Sequence, residues 1–482
     1  MRGSFQRVLA VGVAAACICV WAQTLRLQPD YAGVTWPPNI APCNFDIEGL
    51  SPKSSAQARL VTGDGEVLAA KMVQEKAVGL VGARFPERGW RDFLSHHAGE
   101  DVRLEVWAEG RAVFTATNAI AAQKIDPAIT YRLIEPGYVG FGDIEICRRD
   151  LASFDEKVIH ANYRTSREQC INCHIPGGED SGDYLYHTRL IGSGTHVVSS
   201  RYGRFDVDLK LGGAERTIGG GAYAAWHPSG DFIAFSQNKT RQYFPLGASP
   251  DPLIVYDLEG DLAVYSLADR TTIQVESAYD VLECFPAWSP DGKMLYSVQA
   301  ISPFKTPPAN AVQNPKFERD PSEAAELATN LHYRVVRRAF DPMARTFGPP
   351  EKVMADPMNR HSFTHPRISP DGRWLVVTCA PRGVFPIQQW QADLWMLDLQ
   401  RRVARPLAEL NSAESDSYHN FDSSGRWFMF TSRRDDGSYT RLYLAAFDPE
   451  KGVFTKPFML PQRRPLDNLR RFKSYNVPEF AR

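Results

Sequence analysis

"CFPAWSPDGKMLYSV", Cys284 to Val298, decides the fold. An apolar segment runs into Ser289-Pro290-Asp291-Gly292, and a second apolar segment follows at once. Proline presets φ for a turn, aspartate bonds back onto the turn's own backbone, and glycine adopts the conformation that closes it. The flanks therefore read as two antiparallel strands joined by a tight hairpin. Three further stretches repeat the pattern: "YAAWHPSGDFIAFS" (223–236), "THPRISPDGRWLVVT" (364–378) and "YHNFDSSGRWFMFTS" (418–432). Their turns end in Gly230, Gly372 and Gly425, as this one ends in Gly292. Each unit then supplies another strand, "LIVYDL", "HYRVVRRAF", "DLWMLDL" or "RLYLAAFD". Units of this kind, spaced irregularly by insertions, mean a propeller or a solenoid, with β-branched and aromatic residues filling stacked sheets.

The units resemble the TolB-type β-propeller repeat, most closely at "WSPDGK" and "ISPDGR", and the resemblance runs from Tyr184 to about Pro461. The first and last units depart from it, with His227-Pro228-Ser229 and Asp422-Ser423-Ser424 in the turn. "YLYHTRLIGSGTHVVSSRYGRFDVDLKL" (184–211) adds strands of a degenerate blade, and "ISPFKTPPANAVQNPKFERDPSEAAEL" (301–327) is a Pro-rich insertion expected as a long loop. The resemblance implies an all-β chain with six blades, four of them clear in the sequence.

Upstream, "DVRLEVWAEGRAVFTAT" alternates Val102, Leu104 and Val106 with Arg103 and Glu105, turns at Glu109-Gly110 and runs back. Period-two apolarity with glycine turns predicts a small β-sandwich over 41–122. His96 and His97 are expected as a solvated pair in a polar loop. Residues 127–183 are expected as a linker with a short helix at "SFDEKVIHAN", followed by a cofactor segment, and 184–482 as the propeller.

That segment holds "REQCINCHIPGG", Arg167 to Gly178. In Cys-x-x-Cys-His, one helical turn puts both thiols on one side, where they can add to the two vinyl groups of a haem, and the histidine then binds the iron. Zinc needs two further ligands at short spacing, and no second Cys pair is near. A thioredoxin-like pair needs a strand-to-helix frame that the pattern does not supply. A local disulfide leaves His174 unexplained. The reading is one covalent haem c on Cys170, Cys173 and His174. "PPNIAPCNF", "CINCH", "YHTRLIGSGT", "AWHPSG", "FSQNKT", "SYHNF", "SRRDDGSYTRLY" and "KSYNVPEF" together resemble bacterial secreted proteins in which a c-type haem motif precedes a TolB-like propeller. The resemblance strengthens haem and propeller together and leaves the biological task open.

The second axial ligand decides between electron transfer and ligand binding. His187, thirteen residues past His174, is the first candidate, and His419, in the repeat position of Pro286 and Pro366, is the second. His361 and His365 belong to the same rim region. His227 is expected to cap its own turn, Met343 to sit in a loop, and Arg189 to meet a haem propionate or an ordinary surface partner.

The compartment follows from the N-terminus. "MRGSFQRVLAVGVAAACICVWAQT" has Arg2 and Arg7, an apolar run and small residues before Gln23, the layout of a signal peptide over 1–22. The expectation is a periplasmic or otherwise secreted protein, membrane-bound only if that segment stays uncleaved. Net charge is −1, so no basic field calls for nucleic acid. Of the eight cysteines, Cys43, Cys147, Cys284 and Cys379 lie scattered in the body, free or paired, with Cys43–Cys147 one plausible staple. The function expected is an electron-transfer cytochrome with a redox or binding partner at the propeller face. The alternatives are a protein-binding propeller with a structural or sensory haem and a haem enzyme such as a peroxidase.

Overall fold

A computed structural model describes residues 25–76, 78–136, 142–166, 168–177, 182–190, 193–209, 220–244, 253–275, 280–304 and 321–482, with Cys173, 321–324 and Gln388 in backbone only. The expected signal peptide and most of the Pro-rich insertion lie outside these residues. The C-terminal end of that insertion, expected as loop, is the helix Pro321–Thr329. Among the described residues, no helix is long and apolar enough to cross a membrane.

Six sheets of four or five antiparallel strands form the all-β propeller. Blade 1 is Cys170–Pro176, Tyr184–Arg189, Gly194–Ser199 and Gly203–Val207. Blades 2 to 5 begin with the inner strands Gly221–Trp226, Val281–Trp288, Ser362–Ile368 and Asp416–Phe421. Blade 6 joins the two ends of the chain: Ser474–Ala481 pairs antiparallel with Ala128–Ile134, and Glu145–Asp150 and Glu156–Ala161 complete the sheet. Closing the ring this way removes the free edge that an open array would expose.

The interval 127–183 is therefore not a linker in the structure. It supplies three strands of blade 6 and the first of blade 1. "SFDEKVIHAN" becomes the strand Glu156–Ala161, because its backbone finds a ladder along Glu145–Asp150 and tertiary pairing overrides local helix preference. The turns behave as the sequence indicates. Gly292 has φ 70°, and Ser289 bonds both Asp291 and the Met294 N–H. His227 caps its turn through Ser229 and bonds the Gly292 carbonyl of the next blade. Met343 is an exposed loop residue.

The N-terminal sandwich starts earlier than expected, at Arg26, and has sheets of four and five strands. It also contains a helix, Glu87–His96, which buries Trp90, Phe93 and Leu94 at helical spacing. His96 is exposed, but His97 is only 6% exposed and lies between Glu66 (3.0 Å) and Glu100 (2.9 Å). The expected solvated pair is thus split by the helix end. One apolar core runs from Trp36, Phe45 and Trp90 of the sandwich into Trp427, Met429 and Leu444 of blade 5 and Tyr131 and Tyr475 of blade 6. Cys43, Cys147, Cys284 and Cys379 are buried free thiols, so the Cys43–Cys147 staple is not formed.

Candidate functional site

Each inner strand breaks register once. The gaps fall between Asn172 and Ile175, Ala222 and Ala225, Cys284 and Ala287, Thr364 and Arg367, Ser417 and Asn420, and Asn476 and Glu479. A bulge of this kind leaves residues unpaired and re-aims side chains. The first bulged residue has positive φ in blades 2 to 6: Tyr223 (46°), Phe285 (50°), His365 (51°), Tyr418 (43°) and Val477 (46°). All five line the central axis, where two cavities share Tyr223, Tyr418 and Val477. Cys173 is the corresponding backbone position in blade 1. The second bulged residue is His174, Ala224, Pro286, Pro366, His419 or Pro478.

The sequence motif is therefore the inner strand of a blade. Cys170–Pro176 is a strand laddered to Tyr184–Arg189, not the helical turn expected for Cys-x-x-Cys-His. The reason is the blade: strand-to-strand hydrogen bonds along Tyr184–Arg189 use the backbone groups that a helical turn would need. Cys170 is 4% exposed and packs with Ile134 and Ile144. His174 is buried, and neither ring nitrogen has a well-formed hydrogen bond; the Thr130 backbone and Arg132 are the polar groups nearest in effect. Burial first, and the Arg132 charge second, lower its pKa to about 3, so the imidazole is neutral.

The first axial cavity holds about 650 Å³ of unfilled space, including its open mouth. Arg132 and Arg189 are the charged groups in its lining, and Asn172, Asn476 and Thr240 contribute polar atoms. Tyr223, Phe385 and Tyr418 give it aromatic walls. The long hairpin Phe232–Tyr243 and Ile254–Ser266 and the turn at 385–387 build its rim. Arg132 is 5% exposed; it donates to Asn476 Oδ1 at 2.5 Å, and its Nε has no partner. Behind the rim, Asp257 accepts from Asn238 and Thr240, and burial raises its pKa to about 6. The second cavity lies against Ile175, Phe285, His365 and Arg367.

The sequence candidates are thus only partly brought together. Arg189 lines the first cavity, and the motif's strand forms its wall through Asn172. His187 lines neither cavity; its Nδ1 bonds Thr195 Oγ1 at 2.6 Å, and burial, then Arg189, lower its pKa to about 3. His419 bonds the Val376 carbonyl at 3.1 Å and stacks near Phe428, which leaves it occupied by blade 4. His361 is exposed on Asp356. Arg132 is the cavity residue that the sequence did not point to; His365, expected only as part of the rim region, lines the second cavity. For His365, the signal was its alignment with Phe285 and Tyr418, one residue ahead of the bulge's second position.

Two guanidinium groups and aromatic walls suit the carboxylates and flat ring of a haem, but Cys170 packs against Ile134 and Ile144 and lines neither cavity, so attachment through it requires that packing to open. The bis-histidine set His174–His187 does not fit, because neither residue lines an axial cavity and His187 Nδ1 is taken by Thr195. Among the described residues, no group of three or more His, Cys, Asp or Glu is arranged to hold a bare metal ion.

No protein-family model and no curated protein matches the chain. Among solved structures, it is similar to TolB from Acinetobacter baumannii at 13% identity, with 80% of each chain covered and a TM-score of 0.42. It is also similar to an oligogalacturonate lyase in complex with manganese, at 12% identity, 69% and 74% coverage and a TM-score of 0.39. The periplasmic gluconolactonase PpgL of Pseudomonas aeruginosa aligns at 14% identity, with 73% of this chain and 99% of that one covered and a TM-score of 0.35. Nothing about activity follows from likenesses this distant.

Proposed function

We propose that the chain is an extracytoplasmic mono-haem c-type cytochrome whose haem sits on the propeller axis instead of in a separate segment. The observation that carries this reading is the place of the motif. The strand Cys170–Pro176 is an inner strand, and position 173 belongs to the same axial ring as Tyr223, Phe285, His365, Tyr418 and Val477. Cys170 and Cys173 carry the thioethers. Arg132, whose Nη2 donates to Asn476 Oδ1, and Arg189 hold the propionates through charge-assisted hydrogen bonds. Tyr223, Phe385 and Tyr418 exclude water from the ring faces. When bound, the haem supplies one-electron transfer. The N-terminal segment directs the chain out of the cytoplasm, and the open end of the axis is where a redox partner docks.

A partner-binding propeller without haem is the second reading. The enclosure of Cys170 with Ile134 and Ile144 favours it, since a thioether there requires that packing to open. The two separate on colour. Protein matured in a host competent for c-type haem attachment should retain about one haem per chain through acid–acetone extraction, and Cys170→Ala with Cys173→Ala should lose it. A colourless wild type favours the second reading.

A further inference from the structure

Arg132 is a buried cation with no carboxylate partner among the described residues. It is 5% exposed, and it donates to two neutral acceptors, Asn476 Oδ1 at 2.5 Å and the Ile171 carbonyl at 3.5 Å. Three other buried arginines are compensated inside the protein. Arg338 pairs with Glu283, whereas Arg149 and Arg441 each donate to three backbone carbonyls. Arg132 differs in position as well, because it lines the first axial cavity together with Arg189. Arg132 comes from Ala128–Ile134 of blade 6 and Arg189 from Tyr184–Arg189 of blade 1, so neighbouring blades bring two positive charges to one space. Among the described residues, no Asp or Glu lines that space. The carboxylate that interacts with Arg189, Asp257, lies behind the rim and is held by Asn238 and Thr240. A buried charge is costly unless an opposite charge or enough hydrogen bonds compensate it, and an anionic ligand supplies both. The rest of the lining selects the kind of anion. Tyr223, Phe385, Ile387 and Tyr418 offer apolar surface that a hydrated inorganic ion cannot use. The volume, about 650 Å³ with the open mouth, is in the range of small-molecule sites. A planar carboxylate also matches the guanidinium fork with two parallel hydrogen bonds.

We propose that the first axial cavity binds a small organic acid, with the carboxylate on Arg132 and Arg189 and a flat apolar body against Tyr223, Phe385 and Tyr418. This goes beyond the haem reading and does not rest on it, since the acid needs no thioether and no opening of the packing around Cys170. A haem propionate competes for the same arginines, so the test uses the full chain without haem, made in a host that lacks the c-type attachment machinery. The probe is 3-phenylpropionate, titrated by calorimetry, with neutral 3-phenylpropionamide and inorganic phosphate as controls. The expected result is one saturable site per chain that prefers the acid to either control by about tenfold or more. Arg189→Met should weaken the acid by a similar factor and leave the amide unchanged. Arg132→Lys, which keeps the charge but not the fork, should weaken it less than Arg132→Met. Melting followed by circular dichroism checks that each variant is folded; Arg189 is partly exposed, and its variant decides the matter if Arg132→Met does not fold. No saturable binding of the acid, equal binding of phosphate, or an Arg189→Met chain that binds like wild type overturns the proposal. Colour in the matured protein separates the two readings. Retained haem without acid binding by the haem-free chain removes this site and leaves the cytochrome, and acid binding by a chain that matures colourless does the reverse.

Discussion

Glu283 and Arg338 meet at 2.8 Å inside blade 3, with side chains 0% and 4% exposed. Burial raises the Glu283 pKa and Arg338 opposes it, so the carboxylate depends on its partner. Removing one member of a buried pair costs about 3–5 kcal/mol, whereas replacing both can be nearly neutral. Arg338→Met should destabilise the protein by that amount in urea titrations, and Glu283→Gln in the same chain should recover most of it. His97 gives a second prediction at this scale. Burial alone would lower its pKa, but the hydrogen bonds to Glu100 and Glu66 outweigh it and raise the value above the usual 6.5. Folding therefore favours protonated His97. Its contribution is complete below the unfolded pKa and disappears as pH rises through the folded one. Wild type should lose stability relative to His97→Gln between about pH 6 and 8. A pH-independent difference in melting temperature would remove His97 from that account.

At the scale of elements, hairpins announced by Pro-Asp-Gly or Ser-Ser-Gly turns were legible, because the turn chemistry is local. The inner strand "CINCHIP" was not. Its following turn lacks the repeat's signature, and Cys-x-x-Cys-His suggested a helical turn. The C-terminal strand carried a readable signal: Val477-Pro478 falls where Phe285-Pro286 and His365-Pro366 fall. Proline is tolerated there because the bulge leaves that residue out of the ladder. An inner strand at the end of the chain must find its partners near the beginning, which places Ala128–Ile134 in the propeller. His174 occupies the same bulge position. His174→Pro should fold, with a loss of no more than ~3 kcal/mol for the vacated ring, as read by thermal melting in circular dichroism. Failure to fold would mean that Cys170–Pro176 is not an inner strand of the Pro286 type. The axial site was only partly legible. Arg189 was a named candidate, but Arg132 joins it at the axial cavity only through the closing of the ring.

Across the whole molecule, the closure in blade 6 and the shared core decide cooperativity. Tyr31 of the sandwich donates to the Met459 carbonyl, and Trp427 of blade 5 donates to that of Gln123. Sandwich and propeller should therefore melt in one transition. Ending the chain after Lys473 deletes the strand Ser474–Ala481 and exposes Tyr131 and the edge of Ala128–Ile134. That variant should lose the cooperative transition altogether; a retained melt near the wild-type temperature would show that the ring does not need its closing strand. In the function proposed above, the cysteine strand of blade 1 brings a haem to the propeller axis. An anomalous difference map at the iron edge, from crystals of the matured protein, tests it most directly. One iron peak is expected on the axis, within the ring of Tyr223, Phe285, His365, Tyr418 and Val477, beside an extended Cys170–Pro176. An iron peak outside the propeller over a helical Cys170–His174, or no iron peak, would contradict it.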